Sequence, residues 1–320
     1  MNYILFDGTA RASLLPFTFT RPVADIRIGI LTIREKWEHY LDTTTSTLTE
    51  PYLSRKFPLN EAASNIGING AVLPTEALVA RIHDLREQQA LVWQGDVIAF
   101  ACAQLPAVIA PDSFEAIPLE GPVFRLQNTW DIFSRNGEAL EADFTMLTRG
   151  RETAPVSGTN QLICPERIFL EAGATAEYSI LNASEGPIYL GKQAEVWEGN
   201  LIRGAFALCE HGVVKMGAKI YGPTTVGPYG KVCGEINNSV IFGYSSKGHD
   251  GYLGNSVLGE WCNIGADSNN SNLKNNYAMV RLWNYATESF EHTGLQFCGL
   301  MMGDHSKTAI NTMFNTGTVI

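Results

Sequence analysis

The chain has 320 residues, of which 45% are hydrophobic, so it is long enough for two domains with separate cores. Its net charge of −10 argues against non-specific binding to nucleic acid or to an anionic membrane surface. The six cysteines form no C-x-x-C pair, which favours reduced thiols over a disulfide framework or a zinc site. The first residues carry neither a basic segment nor a long apolar run, so we expect no signal peptide, no membrane span and a cytoplasmic location.

Strands and helices alternate in the first half of the chain, which predicts an α/β domain with a largely parallel sheet. Thr75 is the expected N-cap of one of these helices. The predicted elements are strands at 3–6, 66–73, 90–93 and 97–101, and helices through 30–41, 75–85, 130–133 and 139–147. Glycine becomes frequent after about Arg151 and the helical pattern fades. We therefore expect one domain over residues 1–150 and a second over residues 151–320.

An aliphatic residue recurs at every sixth position through the middle of the second domain. The series is Leu190, Val196, Ile202, Leu208, Val214, Ile220, Val226 and Val232. A helix repeats near 3.6 residues and a simple strand at 2, so a period of six indicates a short-repeat parallel β-helix. Each repeat contributes one strand and one turn, and its aliphatic residue enters a core shared with neighbouring repeats.

The six-residue period slips after Val232 and then returns, at Leu258 and Ile264 and again from Met302 to Ile320. The residues between, 268–297, are polar and asparagine-rich at first, and we expect an inserted loop or hairpin there. Ile320 is itself a repeat position, whereas a β-helix normally ends in a polar cap. The natural protein is therefore expected to continue beyond it.

His249 is the candidate catalytic residue, because a neutral imidazole can accept a proton near pH 7 and glycines flank it. The alternative is a solvated turn histidine. The asparagines downstream, among them Asn263 and Asn272, suit sugar hydroxyls or a pantetheine arm, or equally the turns of the repeats themselves. Lys219, Lys231 and Lys247 are candidates for a phosphate, or simply solvated lysines.

Two features of the first domain suggest nucleotide chemistry. Gly8 and Thr9 follow a strand and could present backbone N–H groups to a phosphate, although an ordinary turn is the simpler interpretation. Asp96 follows Gly95 at a strand edge and could hold Mg²⁺ beside a nucleotide phosphate, or be a turn aspartate.

The segment HDGYLGNSVLGEWCNIGADSNNSN, from His249 to Asn272, resembles the acetyltransferase core of the bifunctional GlmU-like family. That family joins N-acetylglucosamine-1-phosphate uridyltransferase to glucosamine-1-phosphate acetyltransferase. Its pattern H-x-x-Y-L-G-D followed by N-I-G-A-G matches His249, the run Tyr252 to Gly254 and the run Asn263 to Ala266 at unchanged spacing. In the first domain, Gly8-Thr9, Leu15-Pro16 and Arg21-Pro22 are similar to a degenerate sugar nucleotidyltransferase signature.

The resemblance implies a Rossmann-like, nucleotidyltransferase-like α/β domain followed by a left-handed parallel β-helix, assembled as a homotrimer. It makes His249 the base for the attacking amine, with acetyl-CoA as co-substrate and Mg²⁺ serving the first domain. The residues that it assigns to acetyl-CoA or sugar binding are Tyr252, Asn263, Ala266, Asn272 and Glu235, with Lys231 as a possible replacement charge. The residues that it assigns to nucleotide binding are Gly8, Thr9 and Arg21.

Two departures from the family pattern in the second domain remove a positive charge. Cys233 stands where the family has a catalytic-site arginine, and Asn237 stands where it has a sugar-phosphate-binding lysine. In the first domain the turn has lost its first glycine, and Arg21 replaces the signature lysine.

The leading hypothesis is an acetyl-CoA-dependent N-acetyltransferase on an amino-sugar 1-phosphate, fused to a nucleotidyltransferase-like domain for UDP-N-acetylglucosamine or a related nucleotide sugar. One alternative is a nucleotidyltransferase whose β-helix only trimerises and regulates. A second is a non-catalytic scaffold that binds sugar nucleotides.

Overall fold

The computed structural model describes all residues from Met1 to Ile320, in two compact units. The first unit comprises residues 1–14, 18–26 and 31–127, and the second comprises 15–17, 27–30 and 128–320. None of the helices combines the length and the hydropathy that crossing a bilayer requires.

A six-stranded sheet forms the centre of the first unit. Its strands are β1 Asn2–Phe6, β2 Ser46–Leu48, β3 Asn65–Asn69, β4 Gln89–Trp93, β5 Asp96–Cys102 and β6 Glu115–Pro118. They lie in the order β2-β1-β3-β5-β4-β6, and β5 alone runs opposite to the others. The predicted, largely parallel sheet is therefore present. Ser46–Leu48 lies in a Thr/Ser-rich stretch and forms the parallel edge strand β2.

The helices of the first unit are α1 Ala10–Ser13, α2 Ile33–Leu41 and α3 Glu76–His83, and short 3-10 turns lie at Val23–Asp25 and Pro111–Ser113. Thr75 caps α3 as predicted, because its Oγ1 accepts a hydrogen bond of 3.1 Å from the Leu78 N–H. Trp37 of α2 is fully buried, and its indole N–H donates to the Val72 carbonyl at 2.7 Å.

Three parallel sheets, here called faces 1, 2 and 3, make up most of the second unit. Face 1 contains Gln161–Ile163, Ile180–Asn182, Leu201–Arg203, Lys219–Tyr221, Glu235–Asn237 and Tyr252–Gly254. Face 2 contains Ile168–Leu170, Ile188–Leu190, Phe206–Leu208, Thr224–Val226, Val240–Ile241, Val257–Leu258, Leu300–Met302 and Thr318–Val319. Face 3 contains Thr175–Ala176, Glu195–Val196, Val213–Val214, Lys231–Val232 and Ser246–Lys247.

From residue 161 to residue 247 the chain visits the three faces in turn, so each coil there supplies one strand to each face. Leu190, Leu208 and Val226 are in register on face 2, and all three are fully buried. All eight residues of the six-residue series lie in one continuous apolar core. This arrangement is compatible with the parallel β-helix that the period predicts.

The expected insertion contains an antiparallel hairpin of Arg281–Asn284 and Ser289–His292. Before it, the backbones of Tyr252–Gly254 and Asn269–Asn270 are joined through side chains. The Asn269 and Asn270 amide oxygens accept from the N–H groups of Tyr252 and Gly254, at 2.7 and 2.8 Å. Asn269–Asn270 pairs in turn with Met313–Phe314. These two asparagines therefore hold the coils together here, and they do so from a strand rather than from a turn of the repeats.

The second unit also includes α4 Asp131–Ser134, α5 Asn136–Thr148 and a 3-10 turn at Pro165–Arg167. Asn136 at the start of α5 is completely buried, and its amide donates to Thr225 Oγ1 on face 2 and accepts from the Gly29 N–H. These bonds explain why the compact units divide near residue 127, whereas composition alone places the domain boundary near residue 150.

The shared core gives a direct test. Leu208→Ala should lower the free energy of unfolding by about 2–5 kcal/mol, because it removes buried methyl groups from a packed interior. Leu201→Ala, which changes a side chain that is 50% exposed on face 1, should cost less than about 0.5 kcal/mol. Urea unfolding followed by circular dichroism measures both, and equal losses would contradict a core shared by the coils.

Candidate functional site

Gly8 and Thr9 follow β1 in a turn that packs tightly against β3. A Cβ built on Gly8 would lie 2.6 Å from the Asn69 amide nitrogen, so the turn has no room for a side chain there. Thr9 Oγ1 donates to an Asp96 carboxylate oxygen at 3.2 Å and accepts from the Arg125 guanidinium at 2.8 Å. The structure thus brings Thr9 and Asp96 together, and it adds Arg125, which no sequence pattern had singled out.

Arg125 also forms an ion pair with Asp96, and its side chain is only 5% exposed. The other carboxylate of the turn, Asp7, accepts from Arg11 at 2.6 Å and from the Val23 N–H at 2.7 Å. Nowhere do three His, Cys, Asp or Glu side chains cluster as metal ligands do. Because both carboxylates are committed to protein donors, this arrangement does not fit a Mg²⁺ ion.

Arg21, the predicted phosphate ligand, is 6% exposed. Its backbone carbonyl accepts from Arg11 at 3.3 Å, which ties it to the same turn. The nucleotide-binding roles of Gly8, Thr9 and Arg21 remain predictions.

His249 lies on an exposed turn between the last strand of face 3 and the last strand of face 1. Two lysines bind the carbonyls of this turn. Lys215 Nζ donates to the Gly248 carbonyl at 3.1 Å, and Lys247 Nζ donates to the His249 carbonyl at 2.5 Å. The His249 backbone is therefore fixed from inside the coil while its imidazole faces solvent.

The predicted sugar-binding residues on face 1 lie next to one another. Glu235 and Tyr252 are in register on adjacent strands. The Asn272 amide donates to the Tyr252 hydroxyl at 2.9 Å and to the Asn255 side-chain oxygen at 2.7 Å. A Cβ on Gly254 would lie 2.2 Å from the Tyr252 hydroxyl, so glycine lets the ring lie flat across the face.

Tyr221 joins this group, although no sequence pattern singles it out beyond its place directly after Ile220. Its hydroxyl donates to Glu235 at 2.6 Å. That hydrogen bond to a carboxylate raises the pKa of Tyr221, so the phenol keeps its proton at alkaline pH values at which an ordinary tyrosine ionises.

Lys231 and Asn263 lie on the outer side of face 3 and are both exposed. Ser246 lies between them, in register with Lys231 and bridged to Asn263. Ala266 follows in the next turn and is half-buried, and its carbonyl accepts from the Asn311 N–H at 2.8 Å. The predicted acyl-transfer residues thus lie in three places. One group is on face 1, Lys231 and Asn263 form a column on face 3, and His249 and Ala266 lie in turns that follow face 3.

Two positions that were considered for their charge, Cys233 and Lys247, are buried. Cys233 is 9% exposed, and its sulfur lies 3.9 Å from an Asp250 carboxylate oxygen. Lys247, considered as a phosphate ligand, is 1% exposed, so that interpretation is wrong. Its strand places it on the core side of face 3, where burial lowers the pKa of the ammonium to about 8.

Comparison with known proteins concerns mainly the first unit. Residues 3–152 match a family model described as sugar nucleotidyl transferase. This match supports a sugar nucleotidyltransferase-like domain at the N-terminus, and with it a transferase. No curated protein matches the chain.

The Arg125–Asp96 pair gives a prediction about metal binding. Arg125→Gln should free the Asp96 carboxylate and allow weak Mn²⁺ binding that the wild-type domain lacks. It should also cost about 3 kcal/mol of stability, because one partner of a largely buried pair is lost. Electron paramagnetic resonance of free Mn²⁺ measures binding, and Arg125→Gln combined with Asp96→Asn is the control. Equal Mn²⁺ binding by the wild type and Arg125→Gln would show that Arg125 does not keep the Asp96 carboxylate from binding a metal ion.

The buried ammonium gives a prediction about pH. Between about pH 8 and 10.5 the unfolded chain binds more protons at Lys247 than the folded chain, so folding becomes more favourable as the pH rises. Lys247→Met removes this contribution. The variant should be about 3 kcal/mol more stable than the wild type at pH 7, and the difference should shrink towards pH 10.5.

Urea titrations at a series of pH values measure that difference, and Lys192→Met at an exposed lysine is the matched control. A difference that does not change with pH would show that Lys247 titrates normally in the folded protein.

Proposed function

We propose that the protein is an acetyl-CoA-dependent N-acetyltransferase acting on an amino-sugar 1-phosphate such as glucosamine 1-phosphate. Its first unit is a sugar-1-phosphate nucleotidyltransferase-like domain, and the two activities serve the synthesis of UDP-N-acetylglucosamine or a related nucleotide sugar. The parallel coils are those of a left-handed β-helix, and three chains assemble in the cytoplasm as a homotrimer.

The observation that carries this proposal is the His249 turn. Two lysine–carbonyl hydrogen bonds hold the backbone of this turn and its imidazole is exposed. The polar group of Glu235, Tyr252 and Asn272 lies at face 1, to which the chain passes directly after the turn. A general base must be fixed in place yet accessible to substrate. The GlmU-like resemblance assigns the same residue to that role.

In the proposed reaction the amine nitrogen attacks the thioester carbonyl carbon with its lone pair, and the imidazole of His249 accepts the nitrogen's proton as the C–N bond forms. The C–S bond then breaks, and the protonated imidazole passes that proton to the departing thiolate, which releases coenzyme A as a thiol. Hydrogen bonds from Asn272 and Tyr252 and a contact from Glu235 orient the sugar. Backbone N–H groups or small polar side chains stabilise the oxyanion.

A second candidate is a nucleotidyltransferase whose coils serve assembly and regulation. The match of residues 3–152 to a sugar nucleotidyl transferase model favours it. It requires pyrophosphate release from a nucleoside triphosphate and a sugar 1-phosphate, with no release of coenzyme A.

The commitment of Asp96 to Arg125 favours a third candidate, a sugar-nucleotide-binding scaffold without catalysis. It requires binding of a sugar nucleotide with turnover by neither unit. Calorimetric titration together with the two product assays separates the three candidates.

The first experiment is free-thiol release from acetyl-CoA by the full-length protein, with and without glucosamine 1-phosphate. Sugar-dependent release is expected. His249→Ala should then reduce kcat by at least about a hundredfold, because a general base contributes that much or more.

His211→Ala is the matched control, since His211 is also an exposed histidine on a turn between faces and should leave kcat unchanged. Thiol release that does not depend on the sugar, or that survives in His249→Ala, would refute the proposed role of His249.

A further inference from the structure

Lys247 interrupts the aliphatic core of face 3. On that face Val214, Val232 and Lys247 follow one another in register, and the first two are fully buried aliphatic residues. Ile264, next to the bridge between Ser246 and Asn263, continues the column on the following coil and is also buried. A lysine therefore occupies a position where its neighbours above and below are apolar.

An ammonium group is expensive in such a place, because burial favours the neutral form of a lysine. A valine at this position would complete the core without that cost. The lysine must therefore provide something that an aliphatic residue cannot, and the contact that it makes is the hydrogen bond from Nζ to the His249 carbonyl.

The surrounding groups show how the charge is accommodated. Cys233 from the preceding coil and Asp250 and Asp267 on the adjoining turns are the titratable groups that act on the Lys247 ammonium. The Cys233 N–H donates to the Lys247 carbonyl at 2.8 Å, and the Asp267 N–H donates to the Asp250 carbonyl at 3.2 Å. Three successive coils thus meet around one buried nitrogen.

We propose that Lys247 is a positioning residue, which fixes the turn carrying His249 from inside the coil so that the imidazole keeps one orientation towards the substrate amine. This inference rests on the proposed role of His249 in acyl transfer. Lys215 binds the adjacent Gly248 carbonyl from a half-buried position, but Lys247 alone reaches the carbonyl of His249 itself.

Lys247→Met tests the proposal, because methionine keeps an unbranched apolar side chain of similar length and removes the donor. Hydrogen–deuterium exchange of peptides covering residues 246–253 should become faster by about tenfold or more, while peptides from residues 186–232 keep their protection. Lys192→Met is the control and should change the exchange of neither set of peptides. Lys247→Arg, which restores a donor, should slow the exchange of the turn again.

The kinetic measurement is the split between kcat and KM for acetyl transfer. Lys247→Met should lower kcat by about tenfold and leave KM for acetyl-CoA within about twofold, because orientation rather than binding is lost. A purely structural role would not produce this split in a variant that retains the stability of the wild type in urea unfolding.

The outcomes separate the two proposals. Unchanged exchange of the turn in Lys247→Met would overturn the positioning role whether or not the protein transfers acetyl groups. Failure of that variant to fold would also overturn it, in favour of a role in folding. Absence of acetyl transfer by the wild type would refute the proposed function, while accelerated exchange in Lys247→Met would still support the fixed turn.

Discussion

The second unit depends on one constraint, which is that each coil must place an apolar side chain against those of the coils on either side. Leu190, Leu208 and Val226 meet this requirement in register on face 2. The turns between faces 2 and 3 follow the same spacing. Tyr229, Tyr244 and Trp261 occupy equivalent left-handed positions, and the rings of Tyr244 and Trp261 stack at 4.7 Å. Stacked rings outside the coil thus accompany stacked aliphatic residues inside it.

A periodic core also makes its exceptions conspicuous. The register slips after Val232, a charged residue enters the core at Lys247, and amide side chains replace backbone pairing between Asn269–Asn270 and Tyr252–Gly254. All of these irregularities lie between Val232 and the inserted hairpin, and His249 lies among them. A uniform stack of coils is stabilised by packing between equivalent residues of neighbouring coils. Departures from this repeat that cost free energy therefore indicate a functional region.

Sequence reasoning succeeded where the determinants are local. The spacing of Leu190 to Val232 is set by nearest-neighbour packing, so all eight burial positions could be predicted. It failed where partners are remote in sequence. Arg125 reaches Thr9 across more than a hundred residues, and Asn136 joins α5 to Thr225 and Gly29, so neither pairing has a local signature. The burial of Lys247 could not be predicted, because a slipped register hides which side of a strand faces the core.

The two units differ in how their charged groups are used. In the first unit the carboxylates beside Gly8 are held by Arg125 and Arg11, so their charge supports the turn itself. In the second unit Lys247 and Lys215 hold backbone carbonyls, and this leaves the His249 imidazole without a structural task. A side chain that is exposed on a fixed backbone is available for chemistry, whereas a carboxylate already paired with a guanidinium must first be released. A catalytic role that requires no change in side-chain pairing is therefore easier to assign to the His249 turn than to the Gly8 turn.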